Sequence, residues 1–596
     1  MDFILEKLSK LINNTIKPWY KLYGNNIPHT LNYSEGSMYD AFLGAEKKYP
    51  FYKAYNYFGK KVRYKNLNKQ IIECAKSLKA IGIKKGDRVT ICMPNMPDAI
   101  IMFYAVNAVG AVSNIIHPLS SENEIQFFLK KSGSKCILCL DSLYSKVSAI
   151  IENTKVKKVI ISKVTNKMPL LLKIVYPFKN KIPKIKFNEN VISFNKFIKL
   201  GKKYNDTYIE KVKKHDDAVI LYSGGTTGDA KGVVLSNLNF NALATQCFKM
   251  ADPTKPGDKM LTIMPIFHGF GIGVSVHTEL TNGMEIILVP RFNAKDFSKL
   301  IKKYKPEFLA GVPTMYEALI NSNEKSKTYL KNLVNVICGG DILTEALRNK
   351  VDTYLKEHGA KTNIRVGYGL TECTAASCLT PRFYFKEGGI GIPLPDMLYK
   401  IVKTGTEKEV PINTDGEICI SGPTVMQEYL NNPEETSKVL RKHSDGKIWL
   451  HTCDLGKVDS DGQFYISDRI KNIFMRKGFN VHPSEVNKFI SSLDFVDSCT
   501  VMGVSHPTEQ MVPVAFIKLN DGVDIENAKN QILNACYNNL EEPSVPYDII
   551  FVDNMPRNIG GKIDNNYLLQ VSRLNYYDSS NYDYSNSIKV PGLSLK

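Results

Sequence analysis

Glycines, two threonines and a lysine follow a short apolar run in the segment Tyr222-Ser-Gly-Gly-Thr-Thr-Gly-Asp-Ala-Lys-Gly232. The run 218–223 is typical of a buried strand that ends in a loop rich in hydrogen-bond donors. Glycines let backbone N–H groups surround phosphate oxygens, threonine hydroxyls add donors, and Lys231 adds a positive charge. The segment is not a Walker A loop, because Gly232 follows the lysine where serine or threonine is required. It predicts a phosphate-binding loop or an ordinary turn, and other segments must decide.

Further segments bring polar groups to the ends of predicted strands. They are 265–271 with His268, 368–372, 449–454, 468–471 and 556–562. Thr371 and Glu372 together offer a hydroxyl and a carboxylate, which can hold a phosphate oxygen and its Mg²⁺. Asp454, predicted in a loop at a strand edge, can bind a ribose diol, and Lys562 on a Gly-Gly loop can carry its charge into a distant site. Each segment alone is also compatible with a turn, and a lone histidine is usually structural.

The elements that must position these groups alternate between short apolar strands and helices. Strand-like runs such as 88–93 and 285–289 are separated by helical segments such as 96–109, which is the pattern of α/β layers with a parallel sheet. After about Asp468 the pattern changes to a compact α+β unit with a helix near 525–539. The sequence therefore predicts two kinds of architecture in one chain.

The identity and order of the polar segments resemble those of the adenylate-forming superfamily, which contains acyl-CoA synthetases, carrier-protein adenylation domains and luciferases. The matching segments are YSGGTTGDAKG, MPIFHGFG, YGLTE, GEICISGP, WLHTCDLG, SDRIKNIFMRKGFNVHPSEV and PRNIGGKI. They occur in the family's order, and the resemblance extends from about Ser37 to about Leu569.

The resemblance implies an α/β fold with a large N-terminal body of stacked α/β subdomains and a small, mobile α+β C-terminal lid domain. We expect an amphipathic N-terminal extension over 1–36, an AMP-binding domain over 37–468, the lid over 469–570 and a flexible tail over 571–596. A basic and apolar insertion is expected at 153–188.

The resemblance also implies the roles of particular residues. The β- and γ-phosphates of ATP would be held by Ser223, Gly225, Thr226, Thr227 and Lys231. Thr371 would contact the α-phosphate and Glu372 would hold Mg²⁺. The adenine slot would be formed by Tyr368, Gly339 and Gly340, and the ribose hydroxyls would be bound by Asp454 with the help of Arg469.

Catalysis would depend on a lysine from the lid. Lys562 would stabilise the negative charge that develops around the α-phosphorus, and Lys471 occupies the hinge position about which the lid rotates between two half-reactions. His268 and Phe270 would line the entrance for the acyl group. All of these roles are carried over by resemblance.

Three residues depart from the family pattern. Ala230 replaces the usual proline before the loop lysine, Cys453 replaces the glycine before Asp454, and Glu428 replaces a glycine before Tyr429. These changes leave the local backbone geometry in question. The proposed charged residues and the Mg²⁺ ligand are all retained.

The implied reaction is ATP-dependent activation of a carboxylic acid to an acyl-adenylate, followed by transfer to CoA with release of AMP and pyrophosphate. The insertion and the N-terminal segment resemble those of medium- and long-chain fatty acyl-CoA synthetases. The alternatives are an aryl-CoA ligase of the coumarate or benzoate type, and an acyl-AMP ligase that loads a carrier protein. From a different class, a non-catalytic polyanion-binding protein is a remote alternative.

Composition excludes a disordered chain, since 43% of the 596 residues are hydrophobic and 10% are aromatic. The net charge of +19 reflects either attraction to polyanions or a general preference for lysine. Lysine is spread over the whole chain, so we favour the second explanation and expect no nucleic-acid partner. The twelve cysteines show no disulfide framework, and Cys136 and Cys139 are expected as reduced thiols in a strand.

The segment 153–188 is the local exception, because it contains no acidic residue. Its apolar stretch 168–178 is flanked by lysines, which suits an anionic membrane surface. Alternatively, its apolar side chains pack on the protein's own body. The apolar run 99–112 is too short to span a bilayer and predicts a core helix. With no secretion signal at the start, we expect a cytoplasmic protein with peripheral membrane contact through 153–188 and the N-terminal helix.

Overall fold

The computed structural model describes residues 17–24, 26–179, 184–223, 230–322, 324–506, 509–557, 563–565, 567–570 and 572. The chain divides into two compact units. The larger unit comprises Met1–Tyr399, Ile420–Leu450 and Asp461–Gln463, and the smaller unit comprises Lys400–Cys419, His451–Ser460 and Phe464–Lys596. The expected N-terminal helix and, except for Ser572, the expected tail lie outside the described residues.

The α-helices of the described residues are numbered in chain order. They are α1 (Met38–Lys48), α2 (Tyr64–Ala80), α3 (Pro97–Ala108), α4 (Glu122–Ser132), α5 (Tyr144–Ile150), α6 (Leu170–Lys179), α7 (Phe194–Gly201), α8 (Asn237–Met250), α9 (Thr278–Thr281), α10 (Phe297–Tyr304), α11 (Pro313–Ile320), α12 (Glu345–Glu357), α13 (Pro433–Val439), α14 (Pro483–Ser491) and α15 (Ile525–Asn539).

The strands are numbered in the same way. They are β1 (Lys53–Tyr57), β2 (Lys60–Arg63), β3 (Arg88–Cys92), β4 (Val112–Ile115), β5 (Cys136–Leu140), β6 (Lys158–Ser162), β7 (Val191–Ser193), β8 (Asp217–Ser223), β9 (Lys231–Ser236), β10 (Lys259–Thr262), β11 (Glu285–Leu288), β12 (Phe308–Gly311), β13 (Asn335–Gly339), β14 (Ile364–Tyr368), β15 (Cys378–Leu379), β16 (Gly389–Pro393), β17 (Leu398–Val402), β18 (Gly416–Ser421), β19 (Glu428–Tyr429), β20 (Leu440–Lys442), β21 (Ile448–Val458), β22 (Phe464–Arg469), β23 (Phe474–Arg476), β24 (Phe479–Val481), β25 (Val496–His506), β26 (Gln510–Leu519) and β27 (Asp548–Phe551).

Two sheets with parallel centres form the larger unit. One has the order β19-β9-β8-β4-β3-β5-β6-β7, in which the strands from β8 to β7 pair in parallel. The other contains β16-β15-β14-β13-β12-β10-β11-β1-β2, parallel from β14 to β1 and antiparallel at both ends. The predicted α/β layers with parallel sheet are confirmed.

Helix α3 shows why the longest apolar run does not need a membrane. Pro97 begins the helix, where its missing N–H costs no hydrogen bond, and all of its residues are buried. Such a helix is surrounded by protein, as predicted for a core helix. Among the described residues, no helix combines the length and the apolar character that are needed to cross a bilayer.

The parallel order decides where loop residues can meet. Strands β10, β13 and β14 belong to the parallel part of one sheet, so their carboxyl ends lie at the same edge. Loops at the carboxyl ends of parallel strands are the usual place for ligands in such sheets. The predicted segments around His268, Gly340 and Thr371 follow these three strands.

The smaller unit combines antiparallel pairs, β21 with β22 and β25 with β26, with a parallel pair of β26 and β27. Strands β17, β18, β21 and β22 lie side by side in this order, and β25, β26 and β27 form a three-stranded sheet. Helices α14 and α15 pack on the latter through a core that includes Val486, Ile532 and Phe551. Helix α15 spans the residues predicted for it, and the α+β character expected after about Asp468 is confirmed.

All twelve cysteines are free. Cys136 and Cys139 lie in β5 and are fully buried, as predicted for reduced thiols in a strand. Burial raises the pKa of Cys136 to about 12, so this thiol stays protonated and unreactive.

Cys453 and Glu428, two of the residues that depart from the family pattern, have different backbone conformations. Cys453 has a φ of 59°, in the left-handed region that favours glycine. Glu428 lies in β19, where it pairs with Val234 in the antiparallel ladder. A side chain is therefore strained at position 453 but suits the extended backbone at position 428.

We expect Cys453→Gly to stabilise the protein by up to about 1 kcal/mol, because glycine adopts a positive φ without a steric cost. Glu428→Gly should instead destabilise it by roughly 0.5–1 kcal/mol, because glycine weakens a strand. The measurement is the midpoint of thermal unfolding for both variants beside the parent. A lower midpoint for Cys453→Gly would contradict the assignment of strain.

Candidate active site

The centre of the predicted phosphate loop cannot be described. Gly225, Thr226 and Thr227 lie outside the described residues, and so does Lys562. Their roles stay predictions. The two ends of the loop are described, since Ser223 is the last residue of β8 and Lys231 is the first of β9.

Strands β8 and β9 form an antiparallel pair in which Ser223 and Lys231 are cross-strand partners. The loop between them therefore closes a hairpin. Tyr222 anchors this end, because its hydroxyl donates to Asn114 Oδ1 at 2.8 Å. Ala230, which stands where the family has proline, accepts a hydrogen bond from Lys131 Nζ through its carbonyl at 3.1 Å. The hairpin holds Ser223 and Lys231 side by side.

Lys231 contacts two residues from the segment around α13. Its ammonium donates to Glu435 Oε2, and its Nζ lies 4.9 Å from the centre of the Tyr429 ring. A cation over an aromatic face is attracted by the ring's quadrupole. Lys231 and then Lys438 hydrogen-bond to Glu435 and lower its pKa to about 2. Glu435 is therefore ionised at physiological pH.

Tyr429 also contacts the predicted Mg²⁺ ligand. Its hydroxyl donates to Glu372 Oε1 at 2.9 Å, and the backbone carbonyl of Glu372 accepts from Met426 N–H at 2.8 Å. Tyr429 thus joins Lys231 to Glu372 through its ring and its hydroxyl. The single side chain of Tyr429 therefore contacts both the Lys231 ammonium and the Glu372 carboxylate.

Thr371 and Glu372 lie in one turn of 3₁₀-helix that directly follows β14. Both are half-buried, and β8 packs against this turn. Thr374 closes the turn with a φ of 71°, and its hydroxyl donates to the carbonyl of Thr424 at 2.7 Å. The predicted loop position of the hydroxyl and the carboxylate is confirmed, and a fixed turn presents them.

The histidine segment packs directly on this turn. A Cβ at Gly269 would lie 2.0 Å from the carbonyl oxygen of Thr374, so only glycine fits there. His268 is exposed next to this contact, and its ring packs on that of Phe267 at 4.7 Å between centroids. The predicted acyl-side and phosphate-side segments are therefore neighbours.

The residues predicted for the adenine slot lie at the ends of two adjacent strands. Gly339 ends β13 and pairs with Gly367 of β14, and Tyr368 ends β14 and is buried. A Cβ on Gly339 would lie 2.9 Å from the carbonyl oxygen of Gly367 and 3.8 Å from the ring of Phe270. The next residue, Gly340, has a φ of 82°. The structure brings these residues together at the edge used by His268 and Thr371.

In the smaller unit, Asp454 lies inside β21, so the prediction of a strand-edge loop was wrong. It pairs with Arg469 of β22 in the antiparallel register, and Arg469 Nε lies 2.9 Å from Asp454 Oδ1. The Asp454 carboxylate is buried while the Arg469 side chain is 53% exposed. Cross-strand pairing makes this a fixed charge pair.

Lys471 follows β22 in a turn and is exposed. The nearby Asp468 is buried and accepts hydrogen bonds from the backbone N–H groups of Arg469 at 2.7 Å and Ser484 at 3.1 Å. Asp468 therefore ties the end of β22 to the start of α14. The hinge role of Lys471 stays a prediction.

Sequence reasoning missed Tyr429 and Glu435. Glu435 lies 204 residues from Lys231, and an acidic residue in the first turn of a helix is common in any protein. The only local signal was that Glu428, the residue before Tyr429, departs from the family pattern. Contacts at this separation arise from strand order, which the sequence pattern does not define.

A second cluster was also missed, in the smaller unit. His451 Nδ1 lies 2.9 Å from Glu417 Oε2 and 3.6 Å from Cys419 Sγ, and all three residues are buried. Glu417 Oε1 accepts from the backbone N–H of Cys453 at 3.2 Å. The signal lay in Glu417 and Cys419 of the segment GEICISGP, because residues two apart share one face when the segment forms a strand.

Comparison with known proteins covers both units. The model of the AMP-binding enzyme family matches residues 44–430, and that of the AMP-binding enzyme C-terminal domain matches residues 485–562. A long-chain-fatty-acid–CoA ligase of Bacillus subtilis (strain 168) is 31% identical over 571 residues, which cover 94% of this chain and 99% of that protein.

Two further proteins extend the likeness. A probable 4-coumarate–CoA ligase 3 of Dictyostelium discoideum is 29% identical over 502 residues, with 83% of this chain and 87% of that protein covered. The crystal structure of ATP-bound MatB from Rhodopseudomonas palustris shares the fold, with a TM-score of 0.78 and 24% identity over 90% of this chain and 99% of that chain. With these matches over almost its full length, the chain belongs to the family of AMP-binding enzymes.

Proposed function

We propose that this protein activates a medium- or long-chain fatty acid and transfers it to CoA. In the first step a carboxylate oxygen attacks the α-phosphorus of ATP, the bond to the β-phosphate breaks, and acyl-adenylate and pyrophosphate form. In the second step the CoA thiol loses its proton and attacks the acyl carbonyl, and AMP leaves. The observation that carries the proposal is the run of contacts from Lys231 through Tyr429 to Glu372, because it joins the proposed phosphate-binding charge to the proposed Mg²⁺ ligand.

The phosphate end of ATP would be bound by the β8–β9 hairpin. Its proposed ligands are Ser223, Gly225, Thr226, Thr227 and Lys231. Thr371 would contact the α-phosphate. Glu372 suits Mg²⁺, because it supplies a half-buried carboxylate oxygen and this ion prefers hard oxygen ligands. When bound, the ion would neutralise charge on the phosphates.

The nucleoside would be bound by two other groups. Tyr368 with Gly339 and Gly340 would accept the adenine, which is consistent with their shared strand-end edge. Asp454 would bind the ribose hydroxyls, and its ion pair with Arg469 supports this role because the pair fixes the carboxylate. Lys562 would stabilise the transition state of the first step, and Lys471 would act as the hinge for the second.

The fatty acid is supported by the curated relative from Bacillus subtilis, and the coumarate ligase relative supports an aryl acid as a second candidate. A carrier protein in place of CoA is the remaining alternative for the acceptor. His268 and Phe270 would line the acyl entrance, since they adjoin Thr374 and Gly339.

A screen of pyrophosphate release will test the substrate class. We expect activity with acids from octanoate to oleate to exceed that with acetate and with coumarate or benzoate by at least ten-fold. Thioester formation should require CoA. A maximum on aryl acids would replace the fatty-acid proposal, and adenylate release that is insensitive to CoA would favour a carrier protein.

Lys562→Ala should separate the two half-reactions. We expect ATP–pyrophosphate exchange to fall by roughly 10²–10³-fold, as for loss of a transition-state donor, while supplied acyl-adenylate still reacts with CoA within a few-fold of the parent. Equal losses in both assays would refute the assignment of Lys562 to the first step alone.

The Lys231–Glu435 ion pair bears on how ATP enters. Since Glu435 is ionised, it forms an ion pair with the Lys231 ammonium, to which the phosphates would bind. Its negative charge also repels the phosphates. Lys438 lies 2.7 Å from Glu435 Oε1, so Glu435 keeps a cation when Lys231 turns to the phosphates. We propose that Lys231 exchanges Glu435 for phosphate on ATP binding.

Glu435→Gln should therefore lower the KM for ATP by about two- to five-fold, the range expected for removing a partly exposed competing ion pair. Glu434→Gln is the matched control, because Glu434 pairs with Lys438 and its side chain is 81% exposed. Its KM should not change. A raised KM for Glu435→Gln would mean that the carboxylate positions Lys231 for ATP.

The described part of the basic insertion has an apolar surface. On α6, Leu170 is 73% exposed and Leu171 is 79% exposed, and Leu172 and Ile174 are exposed as well. The alternative that the apolar residues pack on the protein's own body is wrong for these four. Among the described residues of the apolar stretch, Met168, just before the helix, is buried. We propose that α6 contacts an anionic membrane surface from the cytoplasm, with the lysines around it binding lipid headgroups.

Replacing Leu170 and Leu171 together by glutamate should reduce binding to anionic lipid vesicles by roughly ten-fold or more, because two apolar side chains are lost. Flotation with phosphatidylglycerol vesicles at low and high salt is the measurement. Phe383→Glu is the control, since Phe383 is 94% exposed elsewhere and should not matter. Equal binding by both variants, or no binding by the parent protein, would exclude the proposal.

A further inference from the structure

Three donor groups of different chemistry converge in the smaller unit, and none of the three residues has a role assigned above. Glu417 and Cys419 lie two residues apart on β18, so their side chains point to the same face. His451 is on the neighbouring strand β21. One carboxylate oxygen, one sulfur and one imidazole nitrogen lie within 4.8 Å of one another.

One of the two distances from His451 Nδ1, the one to Cys419 Sγ, matches an edge of a metal coordination tetrahedron, and the other is shorter. With metal–nitrogen and metal–oxygen bonds near 2.0–2.1 Å and a metal–sulfur bond near 2.3 Å, tetrahedral ligands are separated by about 3.3 Å for N···O and about 3.6 Å for S···N. The observed His451–Cys419 separation is 3.6 Å, and the His451–Glu417 separation is 2.9 Å. A shift of a few tenths of an ångström in one side chain would bring the separation of His451 Nδ1 and Glu417 Oε2 to the tetrahedral value.

The outer contacts support such a site. Glu417 Oε1 accepts from the Cys453 backbone N–H at 3.2 Å, which leaves Oε2 directed at His451. A carboxylate oriented by a backbone donor is typical of metal ligands. Burial of all three residues excludes competing water from most of the sphere.

We propose that Glu417, Cys419 and His451 bind a divalent transition-metal ion of the zinc class. Sulfur and imidazole donors select zinc, cobalt and similar ions, whereas Mg²⁺ requires oxygen ligands. His451 Nδ1 and Glu417 Oε2, which lie 2.9 Å apart, would both bind the ion. The inference is independent of the proposed reaction.

Cobalt(II) is the probe, because its absorption reports ligand type. Full-length protein treated with chelator should bind one Co²⁺ and show a sulfur-to-cobalt charge-transfer band, which Zn²⁺ removes and millimolar Mg²⁺ does not. Cys419→Ser should lose the band. Cys247→Ser should keep it, because Cys247 is a half-buried thiol on α8 in the larger unit.

X-ray absorption at the cobalt edge of the parent protein makes the test independent of variant folding. We expect one sulfur ligand near 2.3 Å with nitrogen and oxygen ligands near 2.0–2.1 Å. A spectrum with nitrogen and oxygen ligands alone overturns the proposal, as does a charge-transfer band that persists in folded Cys419→Ser.

Discussion

The hydroxyl of Tyr429 and its ring hold together the two halves of the phosphate end of the candidate site. The hydroxyl fixes the Glu372 carboxylate at 2.9 Å, and the ring lies under the Lys231 ammonium. A lysine and a carboxylate that both serve a triphosphate must be kept apart, because otherwise they would form an ion pair with each other instead of binding the ligand. A neutral aromatic side chain does this, because it binds one through a hydrogen bond and the other through its π face. Glu435 supplies a negative charge that pairs with the Lys231 ammonium.

Much of the fold could be predicted from the sequence, because burial of parallel strands leaves continuous apolar runs and helices have clear ends. Helix α15 and strands such as β3 and β11 were found in this way. Asp454 was misassigned to a loop, because its conformation depends on pairing with Arg469, which lies in another strand. Local patterns reveal which segments carry chemistry, but not which strand lies beside which.

The candidate site shows the same limit. Thr371, Glu372 and Lys231 were identified from residue type and order, yet Tyr429, which contacts both Glu372 and Lys231, was not, since it lies in another segment. Glu417 and Cys419 were within a segment already recognised, and only the adjacency of β18 and β21 reveals His451 as their partner. Likewise, the lysines around α6 were visible in the sequence, while the exposure of its leucines required the structure.

Gly269 has a consequence for how such enzymes diversify. Its α-carbon packs so closely on the Thr374 carbonyl oxygen that the smallest side chain would need the two segments to separate. The segment proposed to face the acyl group and the turn proposed to face the phosphates therefore share one backbone contact, and neither can change its backbone position without the other. We therefore expect changes in the preferred acid substrate to come from substitutions at flanking positions such as 268 and 270. Their side chains project from a backbone that is held in place. A change in the acid that is bound would thereby leave the turn proposed to contact ATP in place.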